Sequence, residues 1–166
     1  MHYLKAILNP AQCGFLNNTL VALLRSGRLD WTQDDYVRDC CGLGDIPQVD
    51  EFYDTVERQV RPFIGPTAIR ANSYSRIYFK GAYLKPHVDR PGLDWTLSLC
   101  SFAEVEWPIS AQGLDYRIAS VPIAPGDGVL MRGTRQVHWR EELRCRPDQL
   151  VIQHFYHWSE PSAKAE

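Results

Sequence analysis

No stretch of this sequence approaches the roughly 18 consecutive apolar residues that a membrane-spanning helix requires. The opening Met1-His2-Tyr3-Leu4-Lys5 also lacks the basic start and unbroken apolar run of a secretory leader. The expected location is therefore the cytoplasm, with no membrane partner. Cysteine is scarce and unpatterned: Cys40 and Cys41 are adjacent, while Cys13, Cys100 and Cys145 are scattered, which excludes an even-numbered disulfide framework and CxxC metal spacing. We read the five as free thiols, mostly buried. Excess charge is missing too. A net charge of -2 supplies no broad field to attract nucleic acid or an anionic surface. Internal repeats and low-complexity tracts are absent.

What remains is an ordinary globular composition, 45% apolar and 23% charged over 166 residues, enough for one domain with one core. The first third is patterned for helices and the remainder for strands, the signature of an α+β domain with helices segregated beside an antiparallel sheet. Residues 1–68 are expected to be helical support, 69–158 a β core and 159–166 a frayed tail. Asn9-Pro10 offers an N-cap and a first-turn proline, and Leu16, Leu20, Leu23 and Leu24 recur at helical spacing until Ser26-Gly27. Thr32 followed by Asp35 suggests a short second helix toward Cys41, ended by Gly42. From Pro47, a stripe of Val49, Phe52, Tyr53, Val56, Val60 and Phe63 predicts a helix closed by Pro62. Beyond Ile69 the period changes to two, in about eight runs near 73–80, 84–88, 95–101, 105–108, 116–122, 128–131, 138–142 and 150–157. Pro125-Gly126-Asp127-Gly128 is a turn, because proline fixes its own φ and either glycine can take a positive one.

One constellation carries chemistry. His87-Val88-Asp89 sets an imidazole and a carboxylate two residues apart at a strand end, where a turn at Pro91-Gly92 lets both reach one point. His138, opening a later strand, can complete a set of two imidazoles and one carboxylate. Three ligands on one octahedral face leave three positions open, the arrangement of non-haem iron(II) oxygenases, although this ligand set alone does not exclude Zn, Mn or Ni.

The run Tyr78-Phe79-Lys80-Gly81-Ala82-Tyr83-Leu84-Lys85-Pro86-His87-Val88-Asp89-Arg90-Pro91 resembles the strand and loop that bear the first two metal ligands in prolyl-hydroxylase-like 2-oxoglutarate/Fe(II) dioxygenases. Pro125-Gly126-Asp127 ahead of His138, and a closing strand over 150–157, follow that family's order. The resemblance spans roughly residues 70–158 and implies a double-stranded β-helix of the jelly-roll or cupin type. It also implies Fe(II) and 2-oxoglutarate as cofactors, dioxygen as co-reactant, and His87, Asp89 and His138 as metal ligands. The reaction implied is hydroxylation of a small-molecule, amino-acid or peptidyl substrate, with 2-oxoglutarate converted to succinate and carbon dioxide. Related halogenases carry a small residue where this chain has Asp89, so the resemblance favours hydroxylation.

In that family a basic residue about ten positions past the second histidine holds the distal carboxylate of 2-oxoglutarate; here that place is Asp148. Arg140 and Arg146 are the alternatives. Arg140 shares the facing of His138 one pleat along, and two strand residues advance about 6–7 Å, roughly the reach of 2-oxoglutarate, so Arg140 is preferred. Its competing structural role is a pair with Glu142 or Glu104. Tyr78 resembles the family's tyrosine that donates to 2-oxoglutarate, and Arg76 shares its parity. Tyr74, Tyr83, Thr96 and Trp139 are candidate pocket residues, and Arg90 is a candidate to orient Asp89 or meet an acidic substrate group. His2, His154 and His157 are read as non-ligands. The clustered Arg132, Arg135, Arg140, Arg144 and Arg146 admit an anionic cosubstrate or a solvated face. Two rival functions stand beside the oxygenase: a non-catalytic cupin-like module with a closed metal sphere, and a metal-dependent isomerase that ignores 2-oxoglutarate. Oligomeric state is not encoded in these patterns.

Overall fold

The computed structural model describes residues 1–33, 36–113 and 115–161. The chain opens with β1 (His2–Leu4), too short for alternation to announce it, and enters α1 (Pro10–Arg25). Asn9 caps this helix and Gln12 returns the bond, so two otherwise orphaned N–H groups are satisfied. Leu16, Leu20 and Leu23 are buried as their spacing demands, and the chain turns away at Gly27, φ 68°.

The short helix expected over 32–41 is not formed. That stretch holds β2 (Asp30–Thr32) and β3 (Val37–Gly44), while Asp35, the expected cap partner, lies outside the described residues. Tertiary pairing overrides the local signal here: Cys40, Cys41 and Gly42 sit in register with Tyr78, Ile77 and Arg76 of a later strand. A Cβ at Gly42 would lie 2.5 Å from the Ser75 carbonyl oxygen, an approach that only glycine permits.

The next amphipathic stretch divides into α2 (Pro47–Asp50) and α3 (Tyr53–Ile64). Val49, Tyr53, Val56 and Val60 face the core, but Phe63 is 39% exposed and Ile64 takes the last buried place. Pro62 lies inside the final turn and does not close it; Gly65 at φ 77° does. Because the first 68 residues hold β1, β2 and β3 as well as these helices, the N-terminal support is mixed and not purely helical.

The runs at 73–80 and 84–88 are one strand, β4 (Ile69–His87), which kinks at Gly81, φ 88°. Its first part lies between β3 and the last strand; past Gly81 it stays paired with β3 while Leu84 and His87 take Arg140 and His138 as partners on the other edge. Then come β5 (Trp95–Ala103), β6 (Ile109–Gln112), β7 (Ile118–Val121), β8 (Gly128–Met131), β9 (His138–Arg140) and β10 (Val151–Ser159). The run at 105–108 is not a strand, since Pro108 has no N–H to give a ladder and pairing begins only after it.

Strand order is β1-β8-β5-β10-β4-β9-β6-β7, with β3 and β2 branching from β4. All the pairings are antiparallel, and the curled sheet forms a double-stranded β-helix in an α+β domain. The helices cover one outer face, where Leu16, Leu20, Val56 and Val60 pack with Ile77, Leu97, Leu99, Leu130, Ile152 and Tyr156. β5 is therefore buried on both sides and loses any visible alternation. Its even residues Thr96 and Ser98 face the barrel interior, which is polar. The expected tail is shortened: Ser159 ends β10, and Glu160 is tied by its N–H to Asp94 and by its carboxylate to Trp95 and Arg132. Residues 162–166 lie outside the described residues.

His154, on the face under α1, is fully buried between the hydroxyls of Ser75 and Ser101, each 2.8 Å from a ring nitrogen. Burial pushes its pKa from 6.5 down to about 3. The unfolded chain therefore binds this proton first, and the stability contributed by the neutral ring is present above about pH 6.5 and lost as pH falls toward 3. The full effect is at most about 5 kcal/mol. In urea unfolding at pH 7 and pH 4, the wild type is expected to lose several kcal/mol more than His154→Gln. Equal losses would show that another group controls acid sensitivity.

Candidate metal centre

Three polar side chains meet at one end of the barrel. β4 ends at His87 and β9 begins at His138; the two residues are register partners, and their ring centroids are 4.1 Å apart. Each ring is fixed by its Nδ1–H donating to a carbonyl two residues back, His87 to Lys85 at 2.8 Å and His138 to Gln136 at 2.9 Å. Both Nε2 lone pairs are thereby turned to the same place, the usual setting of a metal-binding imidazole. That place is Asp89 Oδ1, 3.5 Å from His87 Nε2 and 3.6 Å from His138 Nε2.

Two contacts hold the carboxylate. Thr96 donates its hydroxyl to Asp89 Oδ2 at 2.5 Å, and the Asp89 backbone N–H donates to the Gly133 carbonyl at 2.8 Å. A Cβ at Gly133 would run into Asp89 Oδ2, the Leu93 carbonyl and Thr96 Oγ1, so any side chain there displaces the carboxylate. Burial alone would raise the Asp89 pKa, but the adjacent His87 and His138 imidazoles and the Thr96 hydroxyl together hold it below the ordinary carboxylate value. Burial lowers His138, favouring the neutral ring that a metal needs.

A six-coordinate divalent ion with bonds near 2.1 Å has neighbouring donors about 3 Å apart. The observed spacings are a few tenths of an ångström wider, so a small inward movement closes the face. The donor set fits such an ion. Among the described residues no fourth His, Cys, Asp or Glu joins the three within 4.8 Å, which leaves half of an octahedral sphere to other ligands.

The face opens on a cavity of about 330 Å³. Alternation along β4 lines it with Asn72, Tyr74, Arg76 and Tyr78, and β10 adds Phe155 and His157. Thr96 and Tyr74 thus line it as expected. Tyr83 and Trp139 do not; Tyr83 lies under the Arg38 guanidinium, and the Trp139 indole donates to Glu141.

Arg140 is 1% exposed and lies in the barrel interior, immediately behind Ser98 on the cavity wall. It pairs with neither Glu142 nor Glu104. Nη1 donates to the Trp107 carbonyl at 2.5 Å, Nη2 makes two long contacts of 3.3 Å to Ser98 Oγ and Gln153 Oε1, and Nε has no partner. Burial lowers its pKa to about 10, so it stays cationic at neutral pH without a carboxylate beside it. Arg76 lines the cavity directly, stacked at 5.0 Å over the Tyr74 ring. Arg146 is a correction. Its side chain is 70% exposed in the turn before β10 and paired with Asp148 at 3.1 Å, so it has no access to the cavity. The sequence places Thr96 in the pocket but not on Asp89, and it gives Gly133, Asn72 and His157 no place there, because their contacts are with residues distant in the chain.

No family model matches the sequence, and no curated protein matches it. Solved structures do. A prolyl-4-hydroxylase from Pseudomonas putida superposes with a TM-score of 0.78 at 11% identity, over 96% of this chain and 92% of that one. The epimerase SnoN from nogalamycin biosynthesis, described as non-haem and α-ketoglutarate dependent, gives 0.75 at 11% identity over 98% and 81%. The chain has the 2-oxoglutarate/Fe(II) oxygenase fold. A Trichoplax adhaerens prolyl hydroxylase, solved with a hypoxia-inducible-factor peptide, shares this oxygenase fold with a TM-score of 0.74 at 12% identity over 95% and 83%. These oxygenase-fold proteins include peptide and small-molecule enzymes, so the fold alone does not choose among substrates.

Proposed function

We propose that this chain is a non-haem Fe(II)- and 2-oxoglutarate-dependent dioxygenase that hydroxylates its substrate, with His87, Asp89 and His138 as the metal ligands. The observation that carries this is the convergence of two Nε2 lone pairs on Asp89 Oδ1 beside a cavity that Arg76 lines and that the buried Arg140 backs through Ser98. When bound, the iron supplies the oxidation itself: substrate C–H, dioxygen and 2-oxoglutarate become C–OH, succinate and carbon dioxide. The chain's own residues do the rest. Lys85 and Gln136 carbonyls aim the imidazoles, and Thr96 and Gly133 hold the carboxylate.

Arg140 is the preferred anchor for the distal carboxylate of 2-oxoglutarate, with Arg76 and Tyr78 beside it. A buried guanidinium with an unpartnered Nε and two long hydrogen bonds has donors to spare for a carboxylate. Leu84, Ile109, Met131 and Phe155 give the cavity apolar walls that keep water from the reacting atoms. The five free thiols suit a reducing, cytoplasmic setting. A closed structural metal site would need a fourth protein ligand, and an isomerase would not need the two arginines.

The test is succinate formation from 2-oxoglutarate by protein loaded anaerobically with Fe(II) and then given oxygen. Slow uncoupled turnover is expected even without substrate, and it should vanish with Asp89→Ala. Tight iron binding with no affinity for 2-oxoglutarate would favour the isomerase.

A further inference from the structure

The cavity carries a second polar set that the proposed metal and 2-oxoglutarate contacts leave unused. Asn72 lines the cavity, and its Oδ1 is buried with no hydrogen-bond partner among the described residues. A buried carbonyl oxygen left unmade costs stability unless a ligand supplies the donor. His157, the neighbouring residue on β10, donates its Nδ1–H to the Asn72 backbone carbonyl at 3.0 Å, so Nε2 is left as a bare acceptor. Its ring lines the same cavity and makes no other hydrogen bond among the described residues. Arg90 completes the set. It follows Asp89, is exposed, and lines the same cavity as Asn72 and His157. No ion pair of Arg90 occurs among the described residues.

Two neutral acceptors and one cation with no ion pair among the described residues therefore line the same cavity as the metal face. A ligand that satisfies them must present N–H donors to Asn72 Oδ1 and His157 Nε2 and an anion to Arg90. The charge sum points the same way. Arg140 and Arg76 suffice for the distal carboxylate of 2-oxoglutarate, which leaves Arg90 for a different molecule. An ammonium next to a carboxylate meets both demands, whereas a peptide link offers one N–H donor and no anion.

We infer that the oxidised substrate is a free α-amino acid, held by its carboxylate at Arg90 and by its ammonium at Asn72 and His157, with its side chain directed to the metal. This rests on the oxygenase reading above and narrows its substrate class. Asn72, His157 and Arg90 are then specificity-determining residues, and peptidyl or N-acylated substrates are rejected because they lack one or both charges.

The experiment uses the full chain loaded with redox-inert Zn(II) and 2-oxoglutarate, whose binding is verified first by calorimetry. Three pools are then screened by saturation-transfer NMR: the twenty standard L-amino acids, their N-acetyl derivatives and their carboxamides. At least one free amino acid is expected to bind, with its N-acetyl and carboxamide forms at least tenfold weaker. Arg90→Leu should bind the acid and the carboxamide equally, and Asn72→Ala should narrow the gap between amine and N-acetyl forms. Both variants should keep wild-type affinity for Zn(II) and 2-oxoglutarate, which also reports that they are folded. No binding from any free amino acid, equal binding of the blocked forms, or unchanged discrimination in Arg90→Leu each overturns the inference. Failure to bind Zn(II) or 2-oxoglutarate at the first step instead overturns the oxygenase reading.

Discussion

Replacing Asp89 by Ala or Asn is expected to weaken Fe(II) or Mn(II) binding by at least about 100-fold, measured by anaerobic calorimetric titration. Loss of an outer hydrogen-bonding partner of a metal ligand typically costs about 10–100-fold, and Asp89 is argued to be a ligand and the only anionic one. The Asn variant is the sharper of the two. It keeps the shape of the side chain and an oxygen for the Thr96 hydroxyl, and it removes the charge that faces both imidazoles. Because the Asp89 backbone N–H still reaches Gly133, the loop keeps its path in either variant. Full metal affinity in Asp89→Asn would mean that the carboxylate is not a ligand and that the ion sits elsewhere.

The second large effect is expected at Arg140. Arg140→Met should weaken 2-oxoglutarate binding by roughly 30–100-fold, the size of a lost charge-assisted hydrogen-bonding pair of about 2–3 kcal/mol, while metal affinity changes little. The separation of the two affinities is the diagnostic part, since a variant that merely misfolds loses both. Circular dichroism and thermal unfolding of the metal-loaded protein check the fold. Arg76→Met offers the contrast, because Arg76 reaches the cavity from β4 whereas Arg140 approaches from β9 behind Ser98. If Arg140→Met binds 2-oxoglutarate normally and Arg76→Met does not, the anchor is Arg76, and Arg140 serves only to tie Trp107, Ser98 and Gln153 together.

The parts of this molecule that were legible in the sequence are those set by local rules. Asn9-Pro10 and the leucine spacing delimit α1 because capping and helical period act within a few residues. His87 and Asp89 come together because they are two residues apart at a strand end, and parity along β9 carries Arg140 into the barrel after His138. The segment over 30–44 departs from its local signal, since capping acts within a few residues while strand pairing does not: β2 pairs with β3, and β3 is held in turn by β4, at least thirty residues further along the chain. Arg146 was a reasonable second candidate by counting from His138. Nothing in that count reveals that the chain loops out over 141–150, so Arg146 meets Asp148 at the surface. Gly133 and Thr96 were invisible in their role for the same reason. Their importance lies in touching Asp89 from two other elements, and no spacing encodes that.

The central claim is that one divalent ion binds between two histidines and one aspartate with half of its sphere left for 2-oxoglutarate and oxygen. A crystal structure grown anaerobically with Mn(II) and 2-oxoglutarate tests it most directly. The prediction is one ion per chain bonded to His87 Nε2, Asp89 Oδ1 and His138 Nε2, chelated by the 2-oxo acid, with the far carboxylate against Arg140 or Arg76. An ion held at another place, or one whose remaining positions are filled by a further protein side chain, would contradict it.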